Sequence, residues 1–435
     1  MLIDFTVKNF ASFKDENSLS MLASADKSNE NIHVYCINNK IRILKNAAIY
    51  GANASGKSNL LKAFNFMLKY VINSSKESQL GDIIDVEPFK FNAETEKQPS
   101  LFEVTFLQES TIYRYGFEVT KTEVVSEWLF ARYSSRESTL FLRKNKDINL
   151  GEKFKEGKRY KSSVRNNALF LSVCAQFNGE ISSKIIEWFR NISVISSLDS
   201  NYANYALQIL VNEDGKYSEQ KEMLLHLITS IDVGIEDLSI EVDEKLDIKR
   251  LIESMPMKQA GKLLDELKNY ENKDSDEKKL GVKISTRRVT SLHKKFDSNN
   301  ELVSLENCNF NIESKGTKKI FELSGLIIKT IFGGGVLFID EIQNSLHPNL
   351  IVGLIKFINH NEKNKNAQFI YTTHEVLILA KKLLRRDQYW FVEKNKFGAS
   401  ELSCLFDFEE PIRKDASLDK DYLRGRYGAI PYLNL

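Results

Sequence analysis

Residues 51–58 read Gly51-Ala52-Asn53-Ala54-Ser55-Gly56-Lys57-Ser58, the phosphate-binding pattern G-x-x-x-x-G-K-[ST]. Before them runs Asn46-Ala47-Ala48-Ile49-Tyr50, short and apolar enough for a buried strand. After them, Asn59-Leu60-Leu61-Lys62-Ala63-Phe64-Asn65-Phe66-Met67-Leu68 carries apolar residues at helical spacing. A glycine-rich turn between a strand and a helix N-terminus is suited to an anion. Its N–H groups point at the ligand, the helix dipole favours negative charge, and glycine lets the backbone approach phosphate oxygens closely. In such a loop the Lys57 ammonium reaches the β- and γ-phosphates and the Ser58 hydroxyl ligates Mg2+. The nucleotide-binding candidates are Gly51, Ala52, Asn53, Ala54, Ser55, Gly56, Lys57, Ser58 and Asn59.

Far downstream stands Val336-Leu337-Phe338-Ile339-Asp340-Glu341, four apolar residues followed by two acids. This is a buried parallel strand that ends in carboxylates, and sites in open α/β sheets lie at the carboxyl ends of strands. Asp340 is placed to hold Mg2+, and Glu341 to polarise a water aimed at the γ-phosphate. Ala367-Gln368-Phe369-Ile370-Tyr371-Thr372-Thr373-His374 is a second apolar strand, ending in a histidine that can hydrogen-bond a γ-phosphate. Catalytic candidates are therefore Glu341, Lys57 and His374, and metal candidates are Ser58 and Asp340.

Around these motifs the chain alternates in type. Residues 2–14 read as a strand with an irregularity near Asn9, followed by a return strand through Leu19 to Leu22. Residues 26–42 read as a polar loop before a strand at Ile41–Leu44. Residues 86–145 read as an antiparallel meander, with Gln108-Glu109-Ser110 as one tight connection. Residues 165–232 read as helical, 244–278 as a charge-dense insertion, Asn272–Lys279 as a linker, and 281–295 and 302–313 as strands.

With 61 Lys plus Arg against 59 Asp plus Glu, the formal charge is +2, so any nucleic-acid contact requires a local patch. Four basic clusters are available: Arg143–Lys146, Lys158–Lys161, Arg287-Arg288 with Lys294-Lys295, and Lys381-Lys382 with Arg385-Arg386. Four scattered cysteines form neither a zinc site nor a disulfide framework, which suits a reducing cytoplasm. No signal peptide and no apolar run of about 20 residues is present, so a cytoplasmic location without membrane contact is expected.

The order of these motifs resembles the ABC-type ATPase head of the SMC, RecF and OLD branch. Ser345-Leu346-His347-Pro348, which starts soon after Glu341, stands in the place of that family's D-loop. Glu313-Ser314-Lys315-Gly316-Thr317 matches the signature segment that the opposite subunit contributes, keeping Ser314 and Gly316 while departing from the common L-S-G-G-Q wording. A closer resemblance is to stand-alone antiphage ATPases of the RloA kind and to the AriA ATPase of the PARIS defence system. It rests on Asn9–Phe13, Glu313–Thr317, Ser345–Pro348, Arg386-Asp387-Gln388 and Tyr422-Leu423-Arg424-Gly425-Arg426-Tyr427-Gly428-Ala429-Ile430-Pro431. The tail has two readings, a packed C-terminal element and a contact made by its two arginines. For the family's Mg2+-sensing glutamine, Gln79, Gln98 and Gln108 all remain candidates.

The resemblance implies an α/β fold, an ABC-type P-loop ATPase head with an antiparallel β subdomain and a helical insertion. The expected division is 1–150 and 301–435 as the two halves of the head and 151–300 as a mainly helical insertion. It implies ATP and Mg2+ as cofactors and a homodimer with ATP sandwiched between heads, open to higher assembly, because one chain has one P-loop and one signature. It further implies a switch in antiphage defence that answers a phage-derived trigger and controls a separately encoded effector such as a TOPRIM-like nuclease. The alternative is a RecF- or SMC-like repair ATPase that binds duplex DNA directly, and the blandest reading is a scaffold with a vestigial ATPase.

Overall fold

A computed structural model describes residues 1–37, 41–76, 79, 81–134, 136–196, 202–211, 217–231, 234–243, 286–408 and 417–430. The expected insertion over 244–278, its linker and Pro431 lie outside the described residues. Contacts divide the chain into two units, Met1–Ser200 with Leu326–Leu435, and Asn201–Gly325.

The first unit holds two large sheets. One is antiparallel throughout and built from β1 (Leu2–Lys8), β2 (Asn17–Ser20), β6 (Ser100–Gln108), β7 (Thr111–Val119), β8 (Val124–Arg132), β9 (Glu137–Lys144) and β10 (Asp147–Leu150), in the order β10-β9-β8-β7-β6-β1-β2. Its β6 buries alternate residues, the period-2 pattern of a sheet with one face on a core. The other sheet is the doubly covered kind. Its strands are β5 (Asn46–Tyr50), β11 (Ile192–Ile195), β15 (Gly335–Ile339), β16 (Ala367–Thr372), β17 (Tyr389–Lys394) and β18 (Ser400–Cys404), in the order β11-β15-β16-β5-β17-β18. All neighbours are parallel except β17 and β18. Strands β5 and β16 are buried along their whole length, as parallel strands must be when both faces are covered.

Between the sheets lies α2 (Lys57–Asn73). Its Phe64 ring stands 4.8 Å from Phe5 of the antiparallel sheet and 4.3 Å from Phe338 of the parallel sheet. One side chain thus ties the loop's helix to both layers, and the offset and edge geometries are the ones aromatic pairs prefer. Residues 26–42, read as loop, instead hold α1 (Glu30–His33) and β3 (Val34–Ile37), which pairs with β4 (Ile41–Leu44).

Residues 155–195, expected in the middle segment, fold with the first unit. The reason is one buried acid. Glu127 on β8 accepts from Phe170 N (2.7 Å) and Leu171 N (3.0 Å), the first turn of α3 (Phe170–Gln176), and from Tyr115 Oη (3.0 Å). Arg143 on β9 completes the pair at 3.4 Å. Then α4 (Glu180–Arg190) lays Trp188 on Phe106 at 3.9 Å, and β11 joins β15.

In the second unit, α5 (Ala203–Val211) and α6 (Ser218–Ile231) precede an antiparallel sheet of β12 (Ile235–Asp243), β13 (Thr286–Phe296) and β14 (Leu302–Asn309). The expected strand over 302–313 ends at Asn309, and Phe310–Ile312 is a 3-10 turn. The division between units falls inside α7 (Lys315–Gly333). The fold is thus α/β with an antiparallel subdomain.

Candidate functional site

Four parallel strands, β15, β16, β5 and β17, end on one edge of the sheet, and each end carries a polar group. After β5 comes the loop 51–56, turning through Ala54 (φ 63) and Gly56 (φ 118) into α2. A Cβ on Gly56 would stand 2.3 Å from Ser400 Oγ and 2.7 Å from Ser12 Oγ. Glycine is required there for conformation and for space alike. Residues 53–59 with Glu341 and Lys394 line a cavity of about 380 Å3.

Lys57 is buried, and its ammonium donates to Gly51 O (2.8 Å) and Ala52 O (3.0 Å). Burial lowers its pKa to about 8, while the carboxylates of Glu341 and Asp340 pull the other way. The Ser58 hydroxyl donates to Asp340 Oδ1 at 3.2 Å across a separation of 282 residues. Asp340 Oδ1 also accepts from Thr372 Oγ1 at 2.7 Å, and that hydroxyl in turn accepts from Glu341 N at 2.7 Å. Thr372, the last residue of β16, therefore holds both acids in place. Glu341 is in the left-handed region at φ 51, a conformation that costs a non-glycine residue about 1 kcal/mol or more. The turn re-aims its carboxylate so that it lines the cavity.

His374 follows β16. Its Nε2 is buried and has no hydrogen-bond partner among the described residues. Burial and then the Lys57 charge push its pKa below the ordinary histidine value, against a smaller opposing pull from Asp340. The ring is neutral at pH 7 and has a polar atom that the protein leaves unpaired, which is a place for a ligand atom.

The fit to a nucleotide and its metal rests on these observations. A serine hydroxyl and a carboxylate lie at hydrogen-bonding distance, the oxygen donors that Mg2+ takes, beside a cavity walled by backbone N–H groups and a lysine.

The structure thus brings together the loop residues, Ser58 with Asp340, Lys57 with both acids, and His374 near Lys57 and Asp340. Ser314 and Gly316 fall in the second unit. There Ser314 is exposed and caps α7: its Oγ accepts from Thr317 N at 3.1 Å. Behind it Glu313 Oε1 accepts from Ser291 Oγ at 2.5 Å and lies 2.8 Å from His293 Nε2. In the 345–348 segment, His347 caps α8 (Pro348–His360), accepting from Asn349 N at 3.2 Å. None of Gln79, Gln98 and Gln108 lines the cavity.

Two groups of residues escaped the sequence reading. Ser12 and Ser400 brace the loop from outside: Asn59 Nδ2 donates to Ser12 Oγ at 2.9 Å, and Ser400 Oγ lies 2.7 Å from Ser12 Oγ and 2.5 Å from Ser55 O. Lys394 enters the cavity from β17. The signal for it was present, since Tyr389-Trp390-Phe391-Val392-Glu393-Lys394 is an apolar strand ending in charge, as the Asp340 and His374 strands are.

A family model described as "AAA domain, putative AbiEii toxin, Type IV TA system" matches residues 47–380. The chain belongs to this AAA family. The matched span of the AAA domain runs from β5 through the loop to the helix after His374, α9 (Val376–Ala380). Among solved structures, the AAA chain is similar to an SMC head domain from Thermotoga maritima at 12% identity and a TM-score of 0.41, covering 93% of this chain and 98% of that one. It is also similar to an SmcHead bound to the C-winged helix domain of ScpA, at 13% identity and a TM-score of 0.41, covering 92% and 96%. No curated protein matches it.

Proposed function

We propose that the chain is an ATP-hydrolysing switch whose active site is completed by a second copy. The observation that carries this reading is the Ser58–Asp340 contact at 3.2 Å, which joins the nucleotide loop to the acidic strand end beside the cavity that Ser58 and Glu341 line. Backbone N–H groups of 53–58 and the α2 N-terminus receive the phosphate chain, and Lys57 leaves the loop carbonyls of Gly51 and Ala52 for phosphate oxygens. Ser58 and Asp340 would hold Mg2+, which would supply charge neutralisation for the phosphates. Glu341 orients and deprotonates the attacking water, and the unpaired Nε2 of His374 senses the γ-phosphate. Ser314 and Gly316, at the N-terminus of α7, meet the γ-phosphate of the partner copy, so two sites require a dimer.

Hydrolysis then opens the dimer and releases what it holds. The family description names a putative AbiEii toxin of a type IV toxin–antitoxin system. The role assigned to the switch is phage defence, answering a phage-derived trigger. The toxic step is assigned to a separate effector, of which a TOPRIM-like nuclease is one kind, and the switch to the cytoplasm. No helix among the described residues is long and apolar enough to cross a membrane.

The test is Glu341→Gln. ATP hydrolysis should fall by about 100-fold or more while ATP binding persists and ATP-dependent dimers accumulate on size exclusion. Unchanged hydrolysis would remove Glu341 from the role of base.

One observation favours a second reading, contact with single-stranded nucleic acid, which differs from the duplex-DNA alternative drawn from the sequence. Three of the four basic clusters have members held in ion pairs: Arg143 on Glu127 and Arg385 on Asp387 are buried, and Lys294 on Glu236 and Lys295 on Glu306 are at the surface. Lys158 and Arg159, joined by Lys153 and Lys155, instead line an open groove of about 1370 Å3 beside the stacked rings of Tyr160 and Phe177, 4.7 Å apart. Cations beside a half-buried Tyr160 and an exposed Phe177, with Glu152, Glu156 and Glu180 also in the lining, are the features a single-strand surface would use. Binding of single-stranded DNA that weakens with salt and is lost in Lys155→Glu/Lys158→Glu would support it; binding indifferent to that variant would remove the groove.

A further inference from the structure

Lys394 is the last residue of β17, the strand on the far side of β5 from Asp340, Glu341 and His374. Its neighbour Val392 lies so close to the loop that a Cβ on Gly51 would meet Val392 O at 2.5 Å. Opposite Lys394 on β18 is Ser400, whose N donates to Ser12 O at 2.7 Å and whose Oγ lies 2.5 Å from Ser55 O. The turn end of the β17–β18 hairpin is therefore held against the loop on both strands, and the start of the Lys394 side chain is fixed relative to residues 53–59. The side chain itself is exposed and lines the loop cavity. Lys394 makes no ion pair among the described residues. Lys57, the cavity's other lysine, is buried and bonded to loop carbonyls.

We propose that Lys394 is a second phosphate-binding cation, holding the phosphate chain of the nucleotide from the β17 side while the acids and His374 work from the other. The proposal rests on the nucleotide reading of the cavity. Its role is affinity. It ends the strand on the other side of β5 from the proposed base, so its contribution is made equally to the ground state and the transition state, which moves binding and leaves turnover at saturation alone. A lysine serves as a compact point charge that any phosphate oxygen can accept, so the contact is to the polyphosphate and not to the base.

The experiment measures equilibrium binding of Mg2+-ATP and of inorganic tripolyphosphate to the full chain, at low ionic strength, for the wild type, Lys394→Ala, Lys394→Arg and Lys57→Ala. Lys394→Ala should weaken both ligands by about tenfold, the usual worth of one charge-assisted hydrogen bond, with Lys394→Arg close to wild type. If Lys394→Ala binds both ligands like the wild type while Lys57→Ala loses them, the nucleotide site stands and Lys394 has no part in it. If only ATP is weakened, the phosphate assignment is overturned. If the wild type binds neither, the reading of the cavity and this proposal fall together. Melting temperatures of the variants, expected to match because the side chain is exposed, separate lost binding from lost folding.

Discussion

Gly56 shows at one residue what the site requires. Its φ of 118 and the crowding by Ser400 and Ser12 mean that Gly56→Ala strains the backbone and pushes the loop off its brace. A loss of about 1–3 kcal/mol in stability is expected, together with loss of ATP binding, read by melting and by titration. Asn9 is the second such residue. It sits in the left-handed region at φ 52, its Nδ2 donates to Thr95 O (2.7 Å) and Gln98 O (2.9 Å), and its Oδ1 accepts from Phe89 N (3.1 Å). Asn9→Ala leaves these buried groups unpaired and should lower stability by about 2–4 kcal/mol in denaturant unfolding. The irregularity near Asn9 was legible because Asn-Phe-Ala-Ser-Phe breaks a strand pattern. Its partners were not, because Asn9 meets the 89–98 stretch only after folding. Ser12 and Ser400, 388 residues apart, are likewise ordinary serines until the fold joins them.

At the scale of elements, strands that end in chemistry were the readable part. The sequences before Gly51, Asp340 and His374 are apolar, bounded and followed by a polar group, and the sheet sets their ends on one edge. Strands β3, β11 and β12 were missed for physical reasons. Both β3 and β11 are four residues long, too short for a period, and β12 falls between the segment read as helical and the charge-dense one, where neither pattern assigns it a type. The start of α3 depends on a buried acid no pattern announces. Removing it in Glu127→Ala strands Arg143 and uncaps the helix, and a loss of about 3–5 kcal/mol in unfolding free energy is expected.

Helix α1 carries a pH signature. Burial, then the charges of Arg385, Lys45 and His360, hold His33 down at about 4, against a weaker pull from Asp387. The unfolded chain takes a proton at the ordinary value near 6.5, so between the two values it binds more protons than the folded chain. Stability from this residue is complete above about 6.5 and is lost as pH falls toward 4. Melting temperatures measured across that window should fall less steeply for His33→Gln than for the wild type.

For the whole molecule, the sequence reading reached as far as the α/β fold and the order of the motifs along the chain. The 151–195 segment was harder, because Glu127 and Trp188 bind it to the antiparallel sheet through contacts that composition does not show. The central claim is that each ATP site takes Lys57 from one copy and Ser314 from another. It is tested most directly by mixing two variants, Lys57→Ala and Ser314→Arg, each inactive alone. Hydrolysis in an equal mixture should return to about a quarter of the wild-type rate, because half the dimers are mixed and each mixed dimer holds one intact site. A mixture as inactive as its components, or a Ser314→Arg variant that hydrolyses ATP by itself, would contradict the claim.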